Sequence, residues 1–188
     1  MRVWRGPAWK AVSMKGRVTR ALLALFFALV FSECEDLGEG MPGTGEWALY
    51  RLNDPSLTTY QVVNEPLSNL RLAPHPCISV KDVRTYHWGT HEIDFTAEMD
   101  RVLDSLAASR GSVSGVPFVV TVGVERIYLG SFWWGYSSMA PSFPYIETIS
   151  PKPRRIQLPS LGQVGDPRAD LRIHHALVMA GILAEEGD

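Results

Sequence analysis

Short runs of β-branched and aromatic residues recur between breaker residues from position 46 to position 158. Glu46 to Leu52 (EWALYRL) opens this region as a short strand. Residues 53–77 carry Asn53-Asp54-Pro55, Pro66, Pro74 and Pro76, and read as a loop-rich lead-in. Val83 to Tyr86 and Glu92 to Phe95 are predicted strands on either side of the turn sequence HWGTHE, His87 to Glu92. Thr96 then caps a helix with Glu98 and Asp100 in its first turn, where the macrodipole favours acids, and Gly111 follows its end. Met99, Val102, Leu103 and Leu106 fall at i, i+3, i+4 and i+7, one apolar stripe fit to pack on a sheet. Pro117 to Val122 and Arg126 to Phe132 are two further strands, joined at Gly123-Val124-Glu125, short enough for a tight hairpin. Tyr145 to Ile149 and Arg155 to Leu158 follow, divided by Pro151-Lys152-Pro153. A last helix starts at Asp166-Pro167, takes its apolar face from Leu171, Val178 and Ile182, and ends near Glu185. The pattern predicts one α+β domain over residues 46–188, a largely antiparallel sheet of short strands with two packed helices.

Upstream the pattern changes. Lys15, Arg17 and Arg20 lead into Ala21 to Phe31, an unbroken apolar run of eleven residues. A bilayer needs about 20. A basic lead and a short apolar run are the signature of a secretory signal, so residues 1–33 are expected to direct export, with Met14 as an alternative start. The competing assignment is a buried core helix. Cys34 at the end of the run resembles the acylated cysteine of bacterial lipoproteins, although Glu33 stands where a small residue is usual. Residues 34–45, including GEGMPGTG, then form a flexible tether. If Cys34 is not acylated, an oxidising compartment permits a disulfide to Cys77, the other cysteine of the chain.

Charge sharpens this division. The formal net charge of −2 hides six basic residues and one acid in residues 1–33. What remains carries 12 basic and 19 acidic residues, near −7, the wrong sign for a nucleic-acid surface. Hydrophobic content of 46% suffices for a real core.

Candidate chemistry is sparse. His87 and His91 bracket a turn. A three-residue loop Trp88-Gly89-Thr90 would set them opposite each other, with Cβ atoms about 5 Å apart, and leave a third metal ligand to be recruited. A two-residue loop Gly89-Thr90 would set His87 against Glu92 and dissolve the pair. His174 and His175 lie about 100° apart around a helix and cannot chelate together. His75 has no evident partner. There is no G-x-S-x-G elbow and no P-loop, no G-x-G-x-x-G lies between a strand and a helix, and Ser137-Ser138 lacks a recognisable base. No enzymatic activity, cofactor or metal is therefore expected. Trp133, Trp134 and Tyr136, in the run FWWGY with Phe143 and Tyr145 close after, are the candidate binding surface for a peptide, glycan or protein, against the alternative that Phe132 and Trp134 complete the core while Trp133 covers a sheet edge.

The segments DVRTYHWGTHEIDFT, AEMDRVLDSLAASRG and PFVVTVGVERIYLGSF together resemble the head subdomain in the large periplasmic region of SecD-type protein-export subunits. Ile93-Asp94-Phe95-Thr96 matches a strand leading into a helix, Gly123-Val124-Glu125 stands at the turn, and Pro144-Tyr145-Ile146 matches the closing segment. The resemblance covers Asp82 to Ile149, within a core of residues 78–149, and implies a fold rather than proton-driven export. The expectation is an exported, lipid-anchored domain of the bacterial cell envelope, non-enzymatic, held to the membrane through Cys34 and binding an envelope protein or peptide. The alternative is a metal-dependent enzyme or metal-binding protein using His87 and His91.

Overall fold

The apolar run at Trp47–Arg51 (WALYR), buried from Trp47 through Leu49, makes β1, the strand on which one half of the fold is assembled. The computed structural model describes residues 45–108, 113–149, 153–159 and 165–184. The expected signal segment, Cys34 and the tether up to Thr44 lie outside the described residues, as do Gly111 and Pro151-Lys152. β1 pairs antiparallel with β2 (Ile78–Ser79) on one side and with β5 (Val116–Val122) on the other. β5 turns into β6 (Glu125–Trp133) with Val122 opposite Glu125, so the hairpin loop is Gly123-Val124 alone. Gly123 takes φ 57 there, and a Cβ on Gly45 would sit 2.2 Å from the Gly123 Cα, so this corner needs glycine on both sides.

Beyond β6 the sheet continues through β7 (Tyr145–Glu147), β8 (Arg154–Gln157), β4 (Glu92–Phe95), β3 (Val83–His87) and β9 (Leu183–Ala184). The pairs β6–β7 and β3–β9 are parallel; the others are antiparallel. The helices are α1 (Thr59–Val62), α2 (Ala97–Ala108) and α3 (Leu171–Met179).

These elements correct the expected α+β class. The described residues are β-dominated, a nine-stranded mixed and curled sheet with three short helices, not a largely antiparallel sheet with two packed helices. Two local causes are visible. Asp166 caps only a 3-10 turn over Pro167–Ala169, and Asp170 caps α3 by accepting from the Arg172 amide. Gly181 at φ 68 then ends that helix early, which frees Leu183–Ala184 to pair with β3.

The curl follows from the core. Trp47 on β1 and Tyr86 on β3 meet edge to face with ring centroids 6.0 Å apart, although six strand steps separate β1 from β3. In a flat sheet those steps would span about 29 Å at roughly 4.8 Å each. The sheet therefore rolls up to put Trp47, Leu49, Tyr86, Ile93, Phe118 and Ile156 into one cluster. α2 closes part of it with Met99, Leu103 and partly buried Leu106, three of the four residues of its predicted stripe, while the Thr96 hydroxyl accepts from the Met99 amide as the cap. α3 turns Ile173, Ala176 and Leu177 inward, not the predicted Leu171 and Val178, which are exposed.

α2 is fastened to β8 by a buried cation. Arg154 is 1% exposed. Its guanidinium donates to the Thr148 carbonyl and to Asp104, and its Nε lies 3.7 Å from Asp100 Oδ1, an ion-pair distance without a hydrogen bond.

Candidate functional site

The register of the β3–β4 hairpin decides the first candidate. His87 stands opposite Glu92 and Tyr86 opposite Ile93, the register in which the histidine pair dissolves. The His87 Nε2 lies 3.1 Å from Asp94 Oδ2 on the hairpin surface. His91 instead turns inward at φ 55, in the left-handed region that non-glycine residues rarely adopt. Its ring is buried between Tyr86 and Trp88, and Trp88 in turn packs edge to face on His174 at 4.8 Å. Among the described residues no group of three or more His, Cys, Asp or Glu side chains could hold a metal ion.

His91 belongs to a polar chain inside the fold. Its Nε2 faces Asp166 Oδ2 at 3.7 Å, which favours the tautomer protonated there and leaves Nδ1 to accept from the Tyr86 hydroxyl at 3.0 Å. Arg168 grips both oxygens of Asp166, at 2.9 and 2.7 Å, and reaches the Ile156 carbonyl at 2.6 Å. Those contacts hold the Asp166 carboxyl below its usual range. Burial, with the Arg168 charge adding to it, pushes the His91 imidazole down to about 4, and burial pushes the Tyr86 phenol up. Near neutrality His91 is therefore a neutral, weakly basic imidazole and Tyr86 a neutral phenol.

This has a measurable consequence. The folded-state pKa of His91 is depressed, so its contribution is fully present above the unfolded value of 6.5 and is lost as pH falls toward 4. Urea unfolding at pH 7 and pH 4 should show the site costing on the order of 3 kcal/mol over that window. His91→Asn, which tolerates the left-handed backbone, should flatten that part of the profile. An unchanged slope in the variant would mean that His91 titrates normally in the folded protein.

Cys77 offers no reactive thiol either. Its Sγ donates to the Leu49 carbonyl at 3.3 Å, and burial pushes it up to about 11.

The aromatic run divides differently. Trp133 and Trp134 are both buried, and Tyr136 stands 75% exposed on the turn that follows. β6 is an interior strand covered on both faces, so strict alternation leaves no ring of the pair in solvent. Phe132 and Trp134 face the main cluster. Trp133 meets Tyr60 of α1 at 6.2 Å and Phe143 at 5.9 Å, and those two meet each other at 5.3 Å. A buried Thr59–Ser131 hydroxyl bond of 2.8 Å ties α1 to β6 beneath this trio. The Ser137 hydroxyl donates to the Val113 carbonyl at 2.8 Å, joining the loop of Tyr136 and Met139 to Val113. The result is a rigid aromatic base with Tyr136, Met139 and Val113 exposed near its rim. Phe143 follows the run closely in the sequence, whereas Tyr60 is distant in the chain and is brought in by α1.

β6 sets this base apart from the point where the described chain begins. The Gly123 amide donates to the Glu46 carbonyl at one end of β6, and Trp133 closes the other. Nine residues at roughly 3.4 Å span about 27 Å between them. No protein-family model, curated protein or solved structure matches this chain.

Proposed function

We propose that the protein is an exported, lipid-anchored cell-envelope domain that binds a protein or peptide partner through the surface around Tyr136 and has no catalytic role. The observation that carries this is the exposed Tyr136 ring on a fixed base, about 27 Å along β6 from the corner where the chain enters the domain. A tyrosine held at low entropy cost beside exposed Met139 and Val113 is the composition of a small interaction hot spot. The basic lead, the eleven-residue apolar run and Cys34 support the anchor. The segments that resemble the SecD head subdomain run through β3, β4, α2, β5 and β6 in that order, in keeping with a periplasmic role.

In-cell photo-crosslinking from position 136 should give a discrete adduct, absent when the crosslinker sits at exposed Val102 on α2. Tyr136→Ala should lose at least tenfold in affinity for the captured partner while leaving the unfolding midpoint unchanged, because the ring lies outside the core. Equal adducts from both positions would sink the assignment of the surface.

A further inference from the structure

The helix that reversed its predicted face leaves an apolar stripe uncovered. Around α3, at 100° per residue, Val178, Leu171, His175 and Met179 fall within about 100° of arc. Leu171 is 80% and Met179 73% exposed, and Val178 is exposed with them. The inward residues Ala176, Ile173 and Leu177 occupy the opposite side.

Both ends of this stripe lie at the corner where the chain enters. Arg172, next to Leu171, pairs with Glu125 at 2.6 Å beside the hairpin tip. Met179 lines a cavity of about 560 Å³ together with Gly45 and Glu46. Val124, on the hairpin tip itself, is 99% exposed. One end of the domain thus gathers four exposed apolar side chains around the point of entry, at the opposite end of β6 from Tyr136.

We infer that this end of the domain, the α3 stripe with the Val124 tip, rests on the lipid surface to which the chain is anchored. The inference rests on the proposed acylation of Cys34 and deepens it. Ten residues lie between Cys34 and Gly45, and those eleven steps reach about 36–40 Å at full extension. That is close to the diameter of a domain this size, so the face at the point of entry is the one held nearest the bilayer. Size selects the occupant. A second copy in a stable dimer needs about 800 Å² per side from some 20–30 residues, and four side chains supply far less. A tethered surface needs no such area, because a short linker sets an effective concentration on the order of millimolar. Arg172 pairs with both Glu125 and Asp170, so that cluster keeps one net negative charge, and the contact rests on the apolar side chains rather than on attraction to anionic lipid.

The test uses the full-length chain in its own membranes, with Cys77→Ala removing the described thiol. Leu171→Cys, Met179→Cys and, as the far-end control, Tyr136→Cys are each labelled with an environment-sensitive fluorophore. All three positions are exposed, so the labels report surroundings rather than unfolding. Labels at 171 and 179 should emit to the blue and be quenched by nitroxide-bearing lipid, while the label at 136 does neither. Water-like emission at 171 and 179 in protein that sediments with membranes overturns the inference and leaves the anchor standing. Blue emission without quenching by lipid means that a protein or second copy covers the stripe, which overturns it equally. Protein recovered in the aqueous fraction with Cys34 free to label removes the anchor, and the inference with it.

Discussion

Arg154→Leu is expected to destabilise the protein by about 3–5 kcal/mol, the cost of breaking a buried ion pair by removing one partner. The guanidinium is 1% exposed and faces Asp100, whose side chain is 12% exposed. Without Arg154, that carboxylate loses the buried cation that faces it from β8, and the Thr148 carbonyl loses the donor that reaches it. Asp104 is 57% exposed and can return to water, so Asp104→Asn should cost well under half as much. The double variant Arg154→Leu/Asp100→Leu should recover most of the loss, because an apolar pair of similar volume replaces both charges together. Chemical denaturation of Arg154→Leu, Asp100→Leu and the double closes the cycle. If the double variant is as unstable as the sum of the singles, the pair does not act as a unit, and α2 is held by its apolar stripe.

Trp47→Ala is the second large effect, about 3–5 kcal/mol, as for emptying a buried tryptophan site. Trp47 has no exposed surface, and its edge-to-face contact with Tyr86 spans the interior of the rolled sheet. The cavity cannot collapse easily, because β1 is fixed by five registered pairs to β5 and by two to β2. Trp47→Phe should retain part of the contact and lose less than half of the stability lost by Trp47→Ala. Tyr86→Phe separates packing from polarity. It keeps the ring against Trp47 but removes the hydroxyl that donates to His91, and should cost about 1–2 kcal/mol. Urea midpoints rank the three variants. A loss below about 1 kcal/mol for Trp47→Ala would show that the two halves of the sheet are stable apart.

Local pattern made much of the strand list legible. The β5–β6 hairpin is a case in point: a glycine between two β-branched runs requires a reversal, and the structure turns at Gly123-Val124. The Thr96 cap and the α2 stripe were legible for the same reason, since capping and helical periodicity act within a few residues. α3 was half legible. Its extent was overestimated because Gly181 in a left-handed conformation ends it, and its face was misassigned because exposed Leu171 and Val178 are as apolar as buried Ile173 and Leu177.

The site divides along the same line. That His87 and His91 flank a turn is written in the chain; which residue each one meets is not. One step of register sets His87 against Glu92, and His91 then enters a chamber closed by Asp166 and Arg168, some 75 positions away. Likewise FWWGY announces an aromatic segment, but only the arrival of Tyr60 and Phe143 decides that Trp133 is buried and Tyr136 is not.

By itself, then, the sequence determined most of the strands, the Thr96 cap and the tight turn, together with the acidic balance of the chain beyond residue 33, because these depend on neighbours a few residues apart. The tertiary structure alone decided the mixed, curled sheet, the burial of Arg154 and His91, and the outward stripe of α3. Those depend on which distant surfaces meet, and a hydrophobic side chain carries no mark of the partner that will cover it.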